Sequence, residues 1–229
     1  MSVLLDLLYP EGAVCLVCGR VSHYGPLCLE CGSELKQLEL RGSLCQRCGG
    51  PMRPGRPCKC DLPERVTARA AWTYGGAAAQ LVQTLKFRQV RAAHRVLGEG
   101  MARVLRRLPE AEGATVTWIT MPASRWRERS YDHAQLLAEY VADDLGLPCR
   151  RLLERPEKHE LAHQVGLNAE QRAANLAGTF RAAESVSGTV VLVDDVFTTG
   201  STVRTASACL LEAGADRVLA LTACRTAKE

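Results

Sequence analysis

Residues 190–202 read VVLVDDVFTTGST and indicate the fold class more clearly than any other part of the chain. The first four, 190–193, are apolar and mostly β-branched, as in a buried strand of a parallel sheet. Asp194 and Asp195 follow where this strand is expected to end. A short hydroxyl-rich turn then leads into a helical pattern that stops at Gly214, as a C-terminal cap would. The order is therefore strand, acidic pair, short polar loop and helix.

The polar loop after the acidic pair has the chemistry of an anion-binding site. A helix N-terminus leaves backbone N–H groups without partners and carries a partial positive charge, so it attracts a phosphate. Glycine lets the backbone approach a ligand closely, and hydroxyl groups add hydrogen-bond donors. The residues expected to hold the phosphate are Thr198, Thr199, Gly200, Ser201 and Thr202.

The acidic pair suits a different part of the same ligand. Carboxylates repel a phosphate, but Asp194 and Asp195 suit sugar hydroxyls, which donate to them, and the field of a divalent cation. The loop and the pair together predict a site for a sugar phosphate. A Walker A motif is excluded because no Gly-Lys-Ser/Thr follows, and a dinucleotide motif is excluded because GxGxxG is absent. An ordinary strand–turn–helix unit with a polar turn and no ligand is the alternative.

Size and composition place the chain among ordinary globular proteins. Its 229 residues are 47% hydrophobic and 24% charged, enough for one large or two small domains. No apolar run approaches the roughly 18 residues that a membrane span needs, so no membrane insertion is expected. The stretch VLLDLL near the N-terminus is short and lacks a basic lead, unlike a secretion signal. These features predict a cytoplasmic protein.

The net charge of +4 is too small by itself to indicate a nucleic-acid-binding protein. The distribution of charge is uneven, because residues 86–107 contain seven Lys or Arg and one acid, Glu99. On a helix, Arg88, Arg91 and Arg95 would share one face. This face is either a solvated surface or a patch for an anionic partner such as single-stranded DNA.

Eight of the eleven cysteines lie within residues 15–60 and form a repeat. In each half, a Cys-x2-Cys pair is followed, after nine intervening residues, by a second closely spaced pair. The two groups are Cys15, Cys18, Cys28 and Cys31, and then Cys45, Cys48, Cys58 and Cys60. Four thiolates in a tetrahedral array fit structural Zn²⁺, so we expect two zinc ions per chain. A disulfide framework and an iron–sulfur centre are the alternatives, although nothing in the sequence indicates secretion. The sequence also leaves open an interleaved pairing of the ligands and the loss of one site.

The cysteine repeat also predicts local structure. Glycine follows three of the four pairs, at Gly19, Gly32 and Gly49, where a tight turn around a metal needs a residue that tolerates positive φ. The segment has few apolar residues with which to build a core. Zinc is therefore expected to supply its fold, at roughly 10–16 kcal/mol for each structural site. The cysteines at 149, 209 and 224 are scattered, which is typical of apolar core positions rather than ligands.

From about residue 66 the chain alternates between strand and helix patterns. This alternation predicts an α/β fold with a parallel sheet flanked by helices, in which ligands bind at the carboxyl ends of the strands. We expect a zinc-ribbon module over residues 1–64 and the α/β domain over residues 65–229. Asp132 with Gln135 predicts a capped helix start after the strand TVTWITM.

Two further segments are expected to border the same crevice. Residues 122–129 follow a strand end, and Arg125, Arg127 and Arg129 are placed either to face a pyrophosphate or to be plain surface charges. Residues 154–168 are too polar for the core and too long for a simple turn. They predict a lid over the site or a crossing loop.

The stretch 190–202 resembles the phosphoribosyl pyrophosphate (PRPP) motif of type I phosphoribosyltransferases over its full length. With the cysteine-rich N-terminus in front of it, the whole chain resembles the ComF family, competence proteins that join a double zinc ribbon to a phosphoribosyltransferase domain. Matching stretches include Tyr74-Gly75, LVQTLKF with Lys86, and RWRERSYDHAQLLA from Arg125 onward. Further matches are Gln164, Leu167, Arg172, Asn175 and Leu176.

The chain departs from the family pattern at three positions. Ser130 stands where glycine is usual, and Asp132-His133 replaces Asn-Gln. A β-carbon at position 130 would restrict the conformation of the loop. The departures therefore concern the arginine loop rather than the fold.

The resemblance implies binding of PRPP together with Mg²⁺. The 5-phosphate would lie on residues 198–202, and Asp194 and Asp195 would hold the ribose diol and stabilise positive charge that develops on the sugar. The leaving pyrophosphate would be held by Lys86, Arg125, Arg127 and Arg129.

The resemblance also implies a role in natural transformation, on incoming single-stranded DNA, and in nucleotide metabolism. As an enzyme, the protein would transfer ribose 5-phosphate from PRPP to an acceptor and release pyrophosphate. No residue in the sequence is an evident general base for an acceptor. The alternative is a non-catalytic sensor of PRPP or a nucleotide, or a single-stranded-DNA-binding adaptor whose ribbons dock a helicase-like protein.

Overall fold

A computed structural model describes the chain at residues 14–23, 25–87, 92–121, 131–156 and 179–227. The helices are α1 (Leu29–Gln37), α2 (Gly76–Phe87), α3 (Ala93–Leu105), α4 (His133–Leu145) and α5 (Ser201–Glu212), with a short 3-10 helix at Pro109–Ala111. The strands are β1 (Val66–Thr73), β2 (Thr115–Trp118), β3 (Leu153–Glu154), β4 (Arg181–Ala182), β5 (Thr189–Phe197) and β6 (Arg217–Arg225). No helix in these ranges is both long and apolar enough to cross a bilayer.

Four of the strands form one parallel sheet in the order β1-β6-β5-β2. The short strands β3 and β4 pair antiparallel in a sheet of their own. Before β3, Cys149 forms a single parallel bridge with Val116 of β2. This architecture confirms the predicted α/β fold class with a parallel sheet flanked by helices.

The core lies on both faces of the sheet, because side chains of β5 alternate between two hydrophobic clusters. Val191 and Val193 belong to the cluster built with α2, α3 and α4, whereas Val190 and Leu192 belong to the cluster built with α5. All four are fully buried. The continuous apolar run is therefore explained by burial on both sides, as expected for a parallel strand between helical layers.

Strand β5 is longer than the sequence predicts. Pairing with β6 continues past the acidic pair, with Asp194 opposite Thr222 and Phe197 opposite Arg225. The expectation that the strand ends at the carboxylates is wrong because β6 is long enough to hydrogen-bond β5 through Phe197. The acidic pair consequently lies on a rigid strand, and only the residues after Phe197 form the loop.

The start of α4 confirms the predicted helix cap in part. The Asp132 carboxylate accepts hydrogen bonds from the backbone N–H groups of Ala134 and Gln135, and Gly146 ends the helix in the left-handed conformation. The Gln135 side chain donates to Glu139 on the next turn. The cap is therefore formed by Asp132.

The cysteine-rich segment covers the free edge of the sheet at β1. Leu40 donates its N–H to the carbonyl of Ala71 at 3.1 Å, and Thr73 donates to Leu38 at 2.8 Å. Ala68 donates to the carbonyl of Arg47 at 2.7 Å. Edge strands present unpaired backbone groups, so this cover satisfies them and protects the edge.

Apolar packing adds to this cover. Leu35 and Leu62 are buried in the two clusters of the α/β part. The few apolar side chains of the segment therefore pack against the sheet and its helices, in addition to the stabilisation expected from zinc. The division between residues 64 and 65 stays a proposal.

The close approach of the second cysteine group to β1 yields a prediction at Gly49. This residue has φ +66°, and a β-carbon there would lie 2.6 Å from the carbonyl oxygen of Ala68. Gly49→Ala should lower the melting temperature of the zinc-loaded protein by several degrees. The positive φ costs a non-glycine residue about 1–2 kcal/mol, and the overlap of the new β-carbon with the Ala68 carbonyl adds to this cost.

Gly19→Ala is the matched control for this substitution. Gly19 has φ +72° in the equivalent turn of the first cysteine group, but a β-carbon there would meet no atom within 4 Å. Its effect on the melting temperature should therefore be the smaller of the two. Equal effects of the two substitutions in a thermal unfolding experiment would contradict the proposed contact with β1.

Candidate functional site

The polar loop has the geometry expected of a strand–loop–helix anion site. It joins the end of β5 to α5, and Gly200 caps the helix with φ +82°, in the left-handed conformation. Thr198, Thr199 and Thr202 are exposed, whereas Ser201 is half-buried. The Thr199 and Ser201 hydroxyls lie 3.1 Å apart, and the Ser201 N–H donates to the Thr199 hydroxyl at 3.4 Å.

Glycine is required at position 200 for two reasons. Its φ lies in the region that other residues enter only at a cost. A β-carbon there would also lie 2.6 Å from the ring of Phe197. The backbone of the loop is therefore set by the contact between Phe197 and Gly200, which leaves the hydroxyls of the loop facing outward at the N-terminus of α5.

Asp195 is the point on which three elements converge. It is buried, and its Oδ2 atom forms an ion pair with Nζ of Lys86 in the last turn of α2. Nε2 of His133, the first residue of α4, lies 3.2 Å from the same oxygen. The predicted pyrophosphate ligand Lys86 thus reaches the acidic pair, where its charge offsets that of Asp195.

Asp194 has different surroundings from Asp195. It is half-buried, and its Oδ1 atom accepts a hydrogen bond from the N–H of Asp195 at 2.8 Å. Successive residues of a strand project to opposite faces, so the two carboxylates do not form a side-by-side pair. Burial raises the pKa of Asp194 to about 7, against the opposing effect of the Lys86 charge.

The raised pKa of Asp194 predicts how stability depends on pH. An ordinary aspartate has a pKa of 3.8, so the folded state holds this proton more tightly than the unfolded state. The resulting stabilisation is complete below pH 3.8 and is lost as the pH rises through about 7. In the Asp194→Asn variant the side chain at position 194 is always neutral, so the free energy of unfolding no longer falls with rising pH at this site.

Urea unfolding of the wild type and Asp194→Asn at pH 5 and pH 8 measures this difference. The free energy of unfolding of the variant, relative to the wild type, should rise by about 2 kcal/mol between the two pH values. A relative stability that does not change with pH would show that Asp194 titrates normally in the folded protein.

Asp132 is a residue whose second role the sequence did not reveal. Besides capping α4, its carboxylate accepts a hydrogen bond from the N–H of Met121 at 3.2 Å. Met121 and Tyr131 flank the predicted arginine loop, and the Tyr131 hydroxyl donates to the carbonyl of Leu85 next to Lys86. The Tyr131 end of the arginine loop is therefore attached to α2, which carries Lys86, and the Met121 end is attached to the start of α4, which carries His133.

His133 is a second residue of the site that the sequence does not predict. The sequence marks it as a departure from the family pattern, but its contact with Asp195 depends on how α4 packs against β5. The signal that points to it is its position at the start of a helix that follows a predicted ligand loop. Its Nε2 atom and Lys86 Nζ together surround one oxygen of Asp195.

Several predicted functional residues lie outside the described residues. These are Arg125, Arg127 and Arg129 of the predicted pyrophosphate loop, Arg88 and Arg91 of the basic face, and residues 157–168 of the predicted lid. Arg95 lies in α3. In the described part of the basic segment, Arg103 pairs with Glu39 and Glu99, and Arg106 pairs with Asp144.

The two cysteine groups converge as predicted. Within each group the four Sγ atoms lie within 4.8 Å of one another. Individual separations are 3.8 Å for Cys18–Cys28, 3.9 Å for Cys45–Cys60 and 3.5 Å for Cys48–Cys58. A tetrahedral Zn²⁺ with Zn–S bonds of about 2.3 Å places its sulfurs about 3.8 Å apart, whereas a disulfide needs about 2.05 Å. The donor sets therefore fit structural zinc, with four consecutive ligands to each ion.

The backbone around the cysteines explains this convergence. In both groups the glycine after the first pair donates its N–H to the carbonyl of the first cysteine, Gly19 to Cys15 and Gly49 to Cys45. Both glycines have positive φ, as predicted. Gly32 lies instead within α1 and outside the positive-φ region, so the same prediction is wrong there. The second pair of the first group sits at the start of this helix and needs no such turn.

Arg20 lowers the pKa of one ligand of the first group, Cys18. Its guanidinium donates to Sγ of Cys18 at 3.4 Å, and this hydrogen bond lowers the pKa of the thiol to about 6. A thiolate is the form that binds a metal. The remaining cysteines behave as predicted, since Cys224 is buried and Cys149 and Cys209 are half-buried away from both groups.

Comparisons with known proteins agree with both halves of the chain. Residues 4–60 match the family described as the double zinc ribbon domain. The chain is 31% identical to the DNA utilization protein YhgH of Salmonella typhimurium, over 90% of this chain and 92% of that protein. It is 28% identical to competence protein F of Haemophilus influenzae, over 93% of this chain and 90% of that protein. It is 25% identical to competence protein ComFC of Bacillus subtilis, over 82% and 79%.

Proposed function

The chain belongs to the ComF family, and on that premise we propose that it binds PRPP with Mg²⁺ at the carboxyl end of β5. The observation that carries the proposal is the junction of β5 and α5. One rigid strand delivers two carboxylates, and the glycine-capped helix that follows begins six residues after the second, within reach of the same ligand. Lys86 reaches this junction from a neighbouring helix.

The 5-phosphate is proposed to lie on residues 198–202. The exposed hydroxyls of Thr198, Thr199 and Thr202 and the N–H groups at the start of α5 supply donors in one place. Each hydrogen bond to a charged group contributes about 1.5–3 kcal/mol, so a few of them hold a phosphate firmly. The acids stay clear of this end because they lie on the strand before Phe197.

The ribose is proposed to lie between the loop and the acidic pair. Asp194 offers its carboxylate from a half-buried position, whereas Asp195 is fixed by Lys86 and His133. Asp194 therefore contacts a ribose hydroxyl directly. Asp195 supplies negative charge from a fixed position beneath the sugar, where positive charge develops if the bond to pyrophosphate breaks.

The surroundings of the acids also fit the way in which Mg²⁺ is usually held beside a phosphorylated ligand. Mg²⁺ takes one or two carboxylates and fills its other positions with water and substrate oxygens. The chain offers Asp194 for this purpose, and one of its oxygens already accepts the N–H of Asp195. When bound with PRPP, Mg²⁺ would neutralise charge on the pyrophosphate.

Lys86 is proposed to have one role before PRPP binds and another when PRPP is bound. Without ligand, its ammonium group neutralises the buried Asp195. With PRPP bound, the same cation lies close enough to the crevice to attract the pyrophosphate. The arginine loop with Arg125, Arg127 and Arg129 is proposed to add further positive charge, since its ends are attached to α2 and to the start of α4, which carry Lys86 and His133.

A test of the proposed chemistry measures pyrophosphate release. Zinc-loaded protein is incubated with PRPP and Mg²⁺, together with a panel of bases and nucleosides as acceptors. Release that depends on one acceptor and disappears in Asp194→Asn identifies a phosphoribosyltransferase. PRPP binding without release for any acceptor identifies a sensor of PRPP instead. Absence of binding contradicts both.

A second proposed role is in DNA uptake inside the cell, with single-stranded DNA as a direct or indirect partner. The support is that relatives carry the names competence protein and DNA utilization protein, together with the basic bias of residues 86–107. Binding of single-stranded DNA should weaken steeply with salt and with joint Arg88, Arg91 and Arg95→Ala substitution. Salt-independent binding contradicts a basic patch.

If the protein does not bind single-stranded DNA even at low salt, docking of another protein by the zinc ribbons is the role that remains. Co-purification with a helicase-like protein tests it.

A further inference from the structure

Arg225, the last residue of β6, is a buried cation at the boundary between the second cysteine group and the sheet. It is 3% exposed, and one Nη atom donates to the carbonyl of Cys48, a predicted zinc ligand. A β-carbon at Gly50 would lie 2.9 Å from the other Nη atom. A side chain at position 50 would therefore shift the guanidinium from this position.

The charge of Arg225 requires an explanation because a buried cation is costly unless something compensates it. Within the described ranges, no acidic side chain lies within ion-pair distance of this guanidinium. A zinc ion with four thiolates carries net negative charge. When loaded with zinc, the second cysteine group would supply negative charge beside Arg225, which contacts it at the carbonyl of Cys48.

The other side of the guanidinium faces the phosphate loop. It lies over the ring of Phe197 with 5.0 Å between the guanidinium carbon and the ring centroid. The backbone adds to this contact, since the N–H of Thr226 donates to the carbonyl of Phe197 at 3.0 Å. Cation–π contacts of this kind stabilise a fixed ring position.

Phe197 in turn sets the shape of the loop. Its ring occupies the space that a β-carbon at Gly200 would need, so ring and glycine pack without a gap. A chain of direct contacts thus runs from Cys48 through Arg225 and Phe197 to Gly200. Each member is buried, and tightly packed interiors pass on small displacements rather than absorb them.

We propose that Arg225 is a positioning residue that couples the second zinc centre to the phosphate loop, so that zinc binding and PRPP binding strengthen each other. This inference rests on the proposed PRPP site. The first cysteine group contacts α2 instead, where the Thr84 hydroxyl donates to the carbonyl of Leu16. Because α2 carries Lys86 and not the phosphate loop, the response of the first centre to PRPP should be the smaller of the two.

Reciprocity gives a test that needs no substitution. If zinc at the second centre strengthens PRPP binding, PRPP must strengthen zinc binding there by the same factor. Zinc is titrated out of the full-length protein to equilibrium with a coloured chelator, with and without PRPP and Mg²⁺. We expect two phases in this titration. PRPP should raise the chelator concentration needed for one phase by at least about fivefold and change the other by a smaller factor.

Substitutions then identify Arg225 as the residue responsible. Arg225→Met should abolish the effect of PRPP on zinc release and weaken PRPP binding, whereas Arg225→Lys should restore part of both because it keeps the charge. Arg204→Ala is the matched control. It removes an ion pair with Asp61 that also joins the cysteine-rich segment to α5 but is solvent-exposed, so coupling should persist.

The outcomes separate this inference from the proposed function. Calorimetric binding of PRPP with zinc-release phases that do not respond to it would overturn the coupling alone. An equal response of both phases, or an unchanged response in a folded Arg225→Met protein, would also overturn it. Absence of PRPP binding to the zinc-loaded wild type would overturn the proposed function and the coupling together.

Discussion

Removal of zinc is expected to unfold the cysteine-rich segment and to lower the melting temperature of the whole protein by well over about 10 °C. Structural zinc sites contribute roughly 10–16 kcal/mol each, which is comparable with the total stability of a typical domain. Zinc removal is expected to destabilise the α/β part as well, because residues 38–47 cover the edge of β1 through three backbone hydrogen bonds.

Metal analysis and thermal unfolding measure this effect. The purified protein should contain two zinc ions per chain, and a strong chelator should lower both the zinc content and the melting temperature. Cys45→Ser should remove one zinc ion. Cys209→Ser is the matched control, since this half-buried thiol lies outside both groups and should leave both ions in place. Fewer than one zinc ion per chain, or a melting temperature indifferent to the chelator, would exclude the assignment.

Joint replacement of Asp194 and Asp195 by Asn is expected to weaken PRPP binding by at least about 100-fold. Each carboxylate that accepts from the ligand or stabilises its cation contributes about 1.5–3 kcal/mol, and asparagine keeps the shape while removing the charge. The substitution also removes the Asp195 carboxylate that pairs with Lys86. This lysine would still attract the pyrophosphate, so some residual binding is consistent with the assignment.

Titration calorimetry with PRPP and Mg²⁺ compares the double variant with the wild type. Circular dichroism establishes that both proteins are folded. Asp144→Asn serves as the control, because it removes an acid paired with Arg106 on the helical surface rather than at the end of β5. Unchanged affinity in a folded double variant would reject the acidic pair as part of the site.

The parts of the structure that the sequence predicts well are those with local signals. The apolar run before Asp194 and the glycine-containing loop after it predict β5 and the start of α5. The repeated cysteine spacing predicts both four-ligand groups, because ligands close in sequence must converge on one ion. In each case the pattern and the structure involve the same short stretch of chain.

The contacts that the sequence does not predict join elements far apart along the chain. Lys86 and His133 meet at Asp195 only because α2 and α4 pack on the same face of the sheet. The extension of β5 to Phe197 depends on the length of β6, and the cover over β1 depends on where the cysteine-rich segment docks. Local patterns carry no information on such packing, so the sequence does not predict a role for Arg225.

Calorimetric titration of the zinc-loaded protein with PRPP and Mg²⁺ tests the central claim most directly. A strand that carries two acids near its carboxyl end and a loop of hydroxyls at a helix N-terminus should give saturable heat for one ligand per chain, with half-saturation below about 1 mM. Inorganic phosphate and ribose alone should bind more weakly, because each engages one half of the site. No detectable heat with millimolar PRPP would contradict the account.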